Sequence, residues 1–148
     1  EIRKIIFDLR PMALDDLGLV PTIRGVLDVF RTQYGIFTEI AVTGRERRLA
    51  SHIEIGLFRV AQEALNNVVK HAQASTVRVR IEFAPVGVTL VIEDDGKGFD
   101  TANDDAPAGH FGLMGMRERL QLLQGKFTIK STPGKGTRVM ITAPLEEK

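Results

Sequence analysis

The 148-residue sequence contains no cysteine and no tryptophan. Without cysteine the chain has no disulfide, no thiol nucleophile and no thiolate ligand for zinc. Its three histidines, His52, His71 and His110, are too scattered to indicate a metal site. No apolar run approaches the ~20 residues that a membrane-spanning helix needs, and no signal peptide opens the sequence. These absences are compatible with a cytoplasmic location, which we expect, and with no membrane contact by residues 1–148. Whether the full-length protein is soluble or membrane-anchored stays open.

An excess of charge of one sign is also missing. The formal net charge is +1, and the longest basic cluster is Arg45-Glu46-Arg47-Arg48. We therefore expect no nucleic-acid partner. No glycine lies five residues before a Gly-Lys pair, and Gly-x-Gly-x-x-Gly does not occur, so the two commonest phosphate-binding loops are excluded. The hydrophobic fraction of 43% is that of an ordinary globular domain.

The spacing of apolar residues predicts an α+β fold, a two-layer α/β sandwich in which helices cover one face of a mixed sheet. Ser51 followed by Glu54 is interpreted as a capping box that opens the longest helix. Residues 17–20 are expected to link the first two helices, and Gly35 to end the second. The predicted helices are 1–10, 21–34, 51–74 and 113–123; the predicted strands are 37–43, 76–83, 88–93, 127–131 and 137–143; residues 100–109 form a polar loop.

The longest predicted helix carries a polar stripe. At about 100° per residue, Glu63, Asn67 and Lys70 fall within roughly 60° of one another, with His71 about 40° further round. Apolar residues occupy the opposite side, as a packed helix requires. A merely solvated helix face would show the same pattern, so the stripe alone leaves both interpretations open.

Three glycine-containing motifs follow the helix. The segment 94–98, Asp-Asp-Gly-Lys-Gly, comes directly after a buried strand, where a fixed carboxylate could accept a hydrogen bond from an adenine amine and glycines admit a flat ring. The segment 109–115 precedes a helix, whose first N–H groups attract phosphate. The segment 134–137 reads as a tight turn. Taken singly, the first motif could as well be a hairpin turn, the second is less simply explained as a flexible linker, and the third is most simply a tight turn.

In this order the four motifs resemble the N, G1, G2 and G3 boxes of the ATP-binding domain shared by histidine kinases, DNA gyrase, Hsp90 and MutL. The resemblance implies a Bergerat-type fold that binds ATP and Mg²⁺. Asn67 would bind Mg²⁺, and Glu63 would bind it through a water or polarise that water. Lys70 would contact a phosphate. The remaining ATP contacts that the resemblance implies are His71, Asp94, Gly96, Gly98, Gly112, Leu113, Gly115, Met116 and Thr137.

Residues 63–72, Glu-Ala-Leu-Asn-Asn-Val-Val-Lys-His-Ala, resemble one branch in particular, the sensor histidine kinases of the DegS, NarX and LiaS type. Segments 6–19, 112–119 and 132–137 support this branch. The resemblance implies that residues 1–15 are the remnant of a second dimerisation helix and its linker, and that 16–148 form the catalytic ATP-binding domain. Its partners would be its own dimerisation and phosphoacceptor domain, in a homodimer, and a response regulator receiver domain. None of the histidines matches the phosphoacceptor, which is expected upstream of Glu1.

Two other functions stay open. Glu63 stands where the gyrase and Hsp90 branch has the base that activates water, and where many histidine kinases have asparagine. An ATPase that uses Glu63 as a base, with an anti-sigma serine kinase as a weaker variant, is therefore one alternative. The other is a nucleotide-gated interaction module that performs no chemistry.

Overall fold

A computed structural model describes residues 12–98, Glu118, Gln121 and residues 123–144; for Met12, Ala13, Asp15, His71 and Ala72 it describes the backbone alone. The predicted helix 1–10 and loop 100–109 lie outside these residues. Of the predicted helix 113–123, Glu118 and Gln121 are described as helical. The elements are helices α1 (Met12–Leu17), α2 (Leu19–Tyr34) and α3 (Ser51–Asn67), a π-helical segment (Val68–Ala72), and strands β1 (Phe37–Gly44), β2 (Thr76–Ala84), β3 (Gly87–Asp94), β4 (Lys126–Thr132) and β5 (Gly136–Pro144).

The five described strands form one mixed sheet in the order β1-β2-β3-β5-β4. β1 and β2 are parallel, whereas the other neighbours are antiparallel. Strand β2 alternates strictly between buried and exposed residues, because one of its faces packs on helices and the other is open to solvent. The predicted α+β sandwich with a mixed sheet is confirmed.

The core lies between the helices and this one face of the sheet. A row of fully buried side chains, Ile81, Leu90 and Ile141, crosses β2, β3 and β5 in register. Helix α3 packs Leu57 and Leu65 into the same core, and α2 adds Phe30. Burial of each such side chain contributes roughly 1.5–3 kcal/mol. The apolar side predicted for the long helix is therefore confirmed.

The start of the chain is more helical than its pattern predicts. Residues 17–20 are not a linker, because α1 ends at Leu17 and α2 already begins at Leu19. Gly18 alone separates them, with φ of +96°, and its carbonyl accepts a hydrogen bond of 2.7 Å from the Thr22 hydroxyl. Pro21 is tolerated in the first turn of α2, where N–H groups have no helical partner. Gly35 ends α2 in the left-handed conformation, as predicted.

The predicted capping box is wrong. Ala50, not Ser51, is the N-cap of α3, and no side chain caps the helix there. Glu54 points back instead, and its buried carboxylate accepts the Leu49 N–H at 3.1 Å and two bonds of 3.0 Å from Arg48. The Arg48 guanidinium also donates to the carbonyl of Leu14 in α1 at 3.4 Å. The glutamate of the Ser-x-x-Glu pattern thus forms an ion pair with Arg48, which links α3 to α1.

The long helix also ends differently from the prediction. Its last five residues, Val68–Ala72, are π-helical, and Gln73 leaves the helix in the left-handed conformation with φ of +52°. The helix stops two residues short of Ala74. Single π turns inside helices are rare and frequently occur at functional sites.

Candidate functional site

A short polar row interrupts the helix-facing surface of the sheet at one end. Asp94 in β3 pairs in register with Thr137 in β5, which pairs with Ser131 in β4. The next row along the same face is apolar, with Ile92 and Val139 buried. Because side chains two residues apart share a face, Asp94 and Thr137 lie side by side next to the core. The structure thus brings these two predicted site residues together.

The carboxylate of Asp94 is half-buried and only partly satisfied by the protein. Its Oδ1 accepts the N–H of Gly96 at 2.8 Å, and the carboxylate also accepts the N–H of Thr137. Desolvation by burial raises the pKa of Asp94 above its ordinary value; the two N–H donors oppose that effect, and the charge of Asp95 adds to it. A carboxylate offers about four lone-pair sites, so Asp94 retains acceptor capacity for a ligand amine.

Asp95 has a different environment from its neighbour. It is exposed, and its carboxylate accepts bonds from the Ser75 N–H (2.8 Å), the Ser75 hydroxyl (2.8 Å) and the Thr76 N–H (2.9 Å). Desolvation acts to raise the pKa of Asp95, but these hydrogen bonds outweigh it and lower the pKa. Sequence reasoning missed this residue. The strand alternation that places Asp94 against the core was the available signal that Asp95 points elsewhere.

The loop after β3 and the turn between β4 and β5 interlock through their backbones. The Gly134 N–H donates to the carbonyl of Lys97 at 2.6 Å. A Cβ on Gly98 would lie 2.2 Å from the Thr132 carbonyl oxygen, and one on Gly136 would lie 2.1 Å from that of Asp94. Both glycines also have positive φ. Packing between the two segments therefore requires glycine at both positions. That a flat ring approaches the backbone at Gly98 stays a prediction, and so does the ligand contact of the buried Gly96.

Thr137 has a hydrogen-bond partner that the sequence did not indicate. The Ser131 hydroxyl lies 2.8 Å from the Thr137 hydroxyl, and it also donates to the Gly136 carbonyl at 3.2 Å. Only the register of the hairpin, which places the two residues opposite each other, reveals the pair. The Ser131 hydroxyl thus contacts that of Thr137, one of the ATP contacts that the resemblance implies.

The polar stripe of the long helix is present on α3 and its π-helical end. Glu63 and Asn67 are half-buried and Lys70 is exposed, which suits groups at the edge of a cleft. Asn67 is the last α-helical residue before the π segment. A π-helix turns through a smaller angle per residue than an α-helix. Lys70 is therefore rotated less far around the helix axis from Asn67 than 100° per residue predicts. The side chain of His71 lies outside the described residues.

A short connection joins the end of this stripe to β2, the strand beside Asp94. Only residues 73–75 connect the π segment to β2, and the first β2 residues adjoin Asp95. A described cavity of about 390 Å³ includes Asp94 and Thr137 in its lining, but Arg78, Lys130 and Arg138 line it from the helix-free face of the sheet. Within the described ranges no stripe residue lines this cavity. A cleft shared by Asn67 and Asp94 therefore stays a prediction, and so do the contacts of Gly112, Leu113, Gly115 and Met116, which lie outside the described residues.

Comparison with known proteins decides the family. The family model of histidine kinase-, DNA gyrase B- and HSP90-like ATPases matches residues 52–147. The chain belongs to this family. Members of the family share an ATP-binding domain, and the resemblance predicted from the four motifs is confirmed.

Its similar relatives are histidine kinases. The chain is 47% identical over 145 residues to the signal transduction histidine-protein kinase/phosphatase DegS of Brevibacillus brevis, covering 98% of this chain and 37% of the relative. It is 34% identical over 147 residues to the oxygen sensor histidine kinase NreB of Staphylococcus carnosus, covering 99% and 42%. The predicted likeness to DegS is confirmed. The chain spans less than half the length of these relatives.

Solved structures share the fold of this ATPase-family domain. The histidine kinase domain of the blue-light activated kinase of Erythrobacter litoralis EL346 superposes with a TM-score of 0.65 at 20% identity, covering 86% of this chain and 65% of that one. The mycobacterial sensor histidine kinase MprB gives 0.61 at 22% identity, covering 85% and 93%. In the described part of the chain, no helix is long and apolar enough to cross a bilayer.

Proposed function

We propose that this chain is the ATP-binding catalytic domain of a two-component sensor histidine kinase. It would transfer the γ-phosphoryl group of ATP to a histidine upstream of Glu1, and from there to an aspartate of a response regulator. The observation that carries the proposal is Asp94, a half-buried carboxylate with unused acceptor sites at the end of a core strand. The naming of its relatives as histidine kinases supports it.

Asp94 would recognise adenine. An ionised carboxylate accepts hydrogen bonds only, so it selects a donor such as the exocyclic amine of adenine and discriminates against a carbonyl at that position. The N–H groups of Gly96 and Thr137 hold the carboxylate in one orientation. Such fixed geometry lowers the entropy lost on binding. Gly98 and the G2 residues would complete the pocket.

Asn67 and Glu63 would hold Mg²⁺ that enters with ATP. Among the described residues, no three carboxylate, imidazole or thiolate groups form a metal site of their own. This suits Mg²⁺, which commonly takes one or two protein oxygens, substrate phosphates and several waters. When bound, the ion would offset phosphate charge during transfer. Lys70, exposed at the end of the stripe, would place its ammonium on a phosphate oxygen.

Phosphoryl transfer requires little covalent chemistry from this domain. An imidazole nitrogen of the acceptor histidine would form the bond to the γ-phosphorus while the bond to the ADP oxygen breaks. The domain would contribute positioning and charge stabilisation, through Lys70 and the groups around Asp94. Residues 1–15 would be the end of the dimerisation helix, and 16–148 the catalytic domain. The acceptor would reach the γ-phosphate within a homodimer.

Calorimetric titration of ATP, with and without Mg²⁺, tests the assignment. We expect Asp94→Ala to abolish measurable binding under both conditions, because adenine loses its acceptor. Asn67→Ala should lose mainly the affinity that Mg²⁺ adds. Matched controls are Asp28→Ala, an exposed aspartate on α2, and Asn66→Ala, which points about 100° away from Asn67. Equal binding by Asp94→Ala and Asp28→Ala would refute the adenine assignment.

An ATPase is the second candidate, because Glu63 is half-buried four residues before Asn67. In that case Glu63 would accept a proton from the attacking water. Steady ATP hydrolysis by the chain that Glu63→Gln abolishes would establish the ATPase. Phosphate release no faster than the uncatalysed reaction, together with histidine labelling in the full-length protein, would exclude it. ATP binding without any histidine labelling would instead favour an interaction module.

A further inference from the structure

The connection that follows the long helix is bonded to the loop after Asp94 by the side chain of Asp95. We propose that Asp95 is a positioning residue, whose carboxylate sets the separation between the phosphate-side group Lys70 and the adenine-side group Asp94. The inference rests on the proposed function, since it concerns how one nucleotide spans both groups. It assigns no contact with ATP to Asp95 itself.

The donors to the Asp95 carboxylate include Ser75, in the short connection between the helix and β2, and Thr76, the first residue of β2. Its Oδ1 accepts the N–H groups of Ser75 (2.8 Å) and Thr76 (2.9 Å), and its Oδ2 accepts the Ser75 hydroxyl (2.8 Å). Its own N–H donates to the Thr76 carbonyl at 3.3 Å. One residue therefore makes four hydrogen bonds to two consecutive residues, the last of the connection and the first of β2.

The pairing of β2 with β3 ends at Val77 opposite Asp94. Asp95 extends the contact between these segments by one backbone bond and by its side chain. Ser75 is held from the other side as well, because its carbonyl accepts the Phe37 N–H at 2.9 Å. Residues 73 and 74 alone lie between the π segment and Ser75. A shift of Ser75 would consequently be passed to the helix end that carries Lys70.

The geometry distinguishes a positional role from an electrostatic one. In Asp95→Asn the amide oxygen can take the place of Oδ1 and accept both backbone N–H groups, while the amide NH₂ donates to the Ser75 hydroxyl. Asparagine thus preserves every hydrogen bond and removes the charge. Alanine removes all three side-chain bonds. If position is what matters, asparagine should restore what alanine loses.

The experiment is a titration of Mg²⁺-ATP and of adenosine, followed by heteronuclear NMR, into wild type, Asp95→Ala and Asp95→Asn. Mg²⁺-ATP engages both sides of the site, whereas adenosine engages only the Asp94 side. We expect Asp95→Ala to weaken Mg²⁺-ATP about tenfold and adenosine less than about threefold. Asp95→Asn should remain within about threefold of wild type for both ligands. Ser75→Ala, which removes one bond only, should lie between the two for Mg²⁺-ATP.

Each outcome decides the inference. Wild-type Mg²⁺-ATP affinity in Asp95→Ala overturns it, and so does an equal loss for adenosine, which would mean that Asp95 supports Asp94 alone. A loss in Asp95→Asn as large as in alanine overturns it in favour of charge. If Asp95→Ala does not fold, the other two variants provide the test: Ser75→Ala should lose part of the Mg²⁺-ATP affinity, and Asp95→Asn should lose none. If wild type itself does not bind Mg²⁺-ATP, the proposed function is refuted as well. That failure is distinguishable because it occurs while Asp95 is intact.

Discussion

Alanine substitutions of two glycines at the turn between β4 and β5 distinguish two effects: backbone strain at a positive φ, and displacement of Asp94. Gly134 and Gly136 have similar positive φ values, +83° and +90°. A Cβ on Gly134 would have no atom within 4 Å, whereas one on Gly136 would lie 2.1 Å from the Asp94 carbonyl oxygen and 3.0 Å from its carbonyl carbon. Gly134→Ala is therefore a matched control for Gly136→Ala.

The expected magnitudes follow from these distances. An L-residue in the left-handed region costs roughly 1–2 kcal/mol, and both variants incur this cost. Gly136→Ala must in addition move the end of β3 by about 1 Å to relieve the contact with Asp94, because real Cβ contacts are not that short. We expect Gly134→Ala to lose about 1 kcal/mol of unfolding free energy and Gly136→Ala about 3 kcal/mol. Misplacement of a binding group by about 1 Å should weaken ATP binding at least tenfold in Gly136→Ala alone.

Urea unfolding followed by far-ultraviolet circular dichroism measures the first quantity, since the chain has no tryptophan for fluorescence. Calorimetric titration of Mg²⁺-ATP at a temperature where both variants are folded measures the second. The reasoning would be refuted if the two alanine variants were equally stable, or if Gly136→Ala bound ATP as tightly as Gly134→Ala does.

Two further predictions concern the half-buried carboxylate of Asp94 and the buried carboxylate of Glu54. Because desolvation raises the pKa of Asp94 in the folded state, its contribution to stability is fully present below the ordinary pKa of 3.8 and is lost as pH rises through the folded pKa. Asp94→Asn should accordingly raise Tm at pH 7, with the gain shrinking as pH approaches 3.8, and should lose ATP binding; a lower Tm at pH 7 contradicts the desolvation. Glu54→Ala leaves Arg48 and the Leu49 N–H without this acceptor, and because Arg48 is half-exposed we expect a loss of about 2–3 kcal/mol in urea unfolding, at the low end for a buried pair. A loss under about 1 kcal/mol would show that the pair is only a surface contact.

The sheet could be predicted from sequence because its signals are local. In β2, apolar residues lie on the buried face and mostly polar residues on the exposed face. This alternation every second residue is fixed by strand geometry. The error at the start of α3 has the opposite cause. Ser51 and Glu54 satisfy the local spacing of a capping box, but Arg48 and the Leu49 N–H offer Glu54 a charged partner and a donor outside the helix. A two-residue pattern does not contain that competing interaction.

The site was predicted unevenly for a related reason. Asp94 and Thr137 were named from motif resemblance, and the register of β3 with β5 makes them neighbours. Asp95 was missed because its partner Ser75 belongs to a segment 20 residues away. Ser131 was missed because its contact with Thr137 depends on the register of the hairpin. Side-chain roles that depend on register become visible only when the strands are aligned.

The fold and the proposed ligand account for different residues of the same motifs. Gly98 and Gly136 are required by backbone packing between the two loops, whether or not a nucleotide binds. Asp95 is accounted for by its bonds to the connection before β2. Asp94 has no such reason: it follows Leu90 and Ile92 on the core face of β3, where an apolar side chain would avoid the desolvation that raises its pKa. A group whose ionised form the fold disfavours, yet which keeps unused acceptor sites, is a strong indication of a ligand. The glycines therefore test the fold, and Asp94 tests the function.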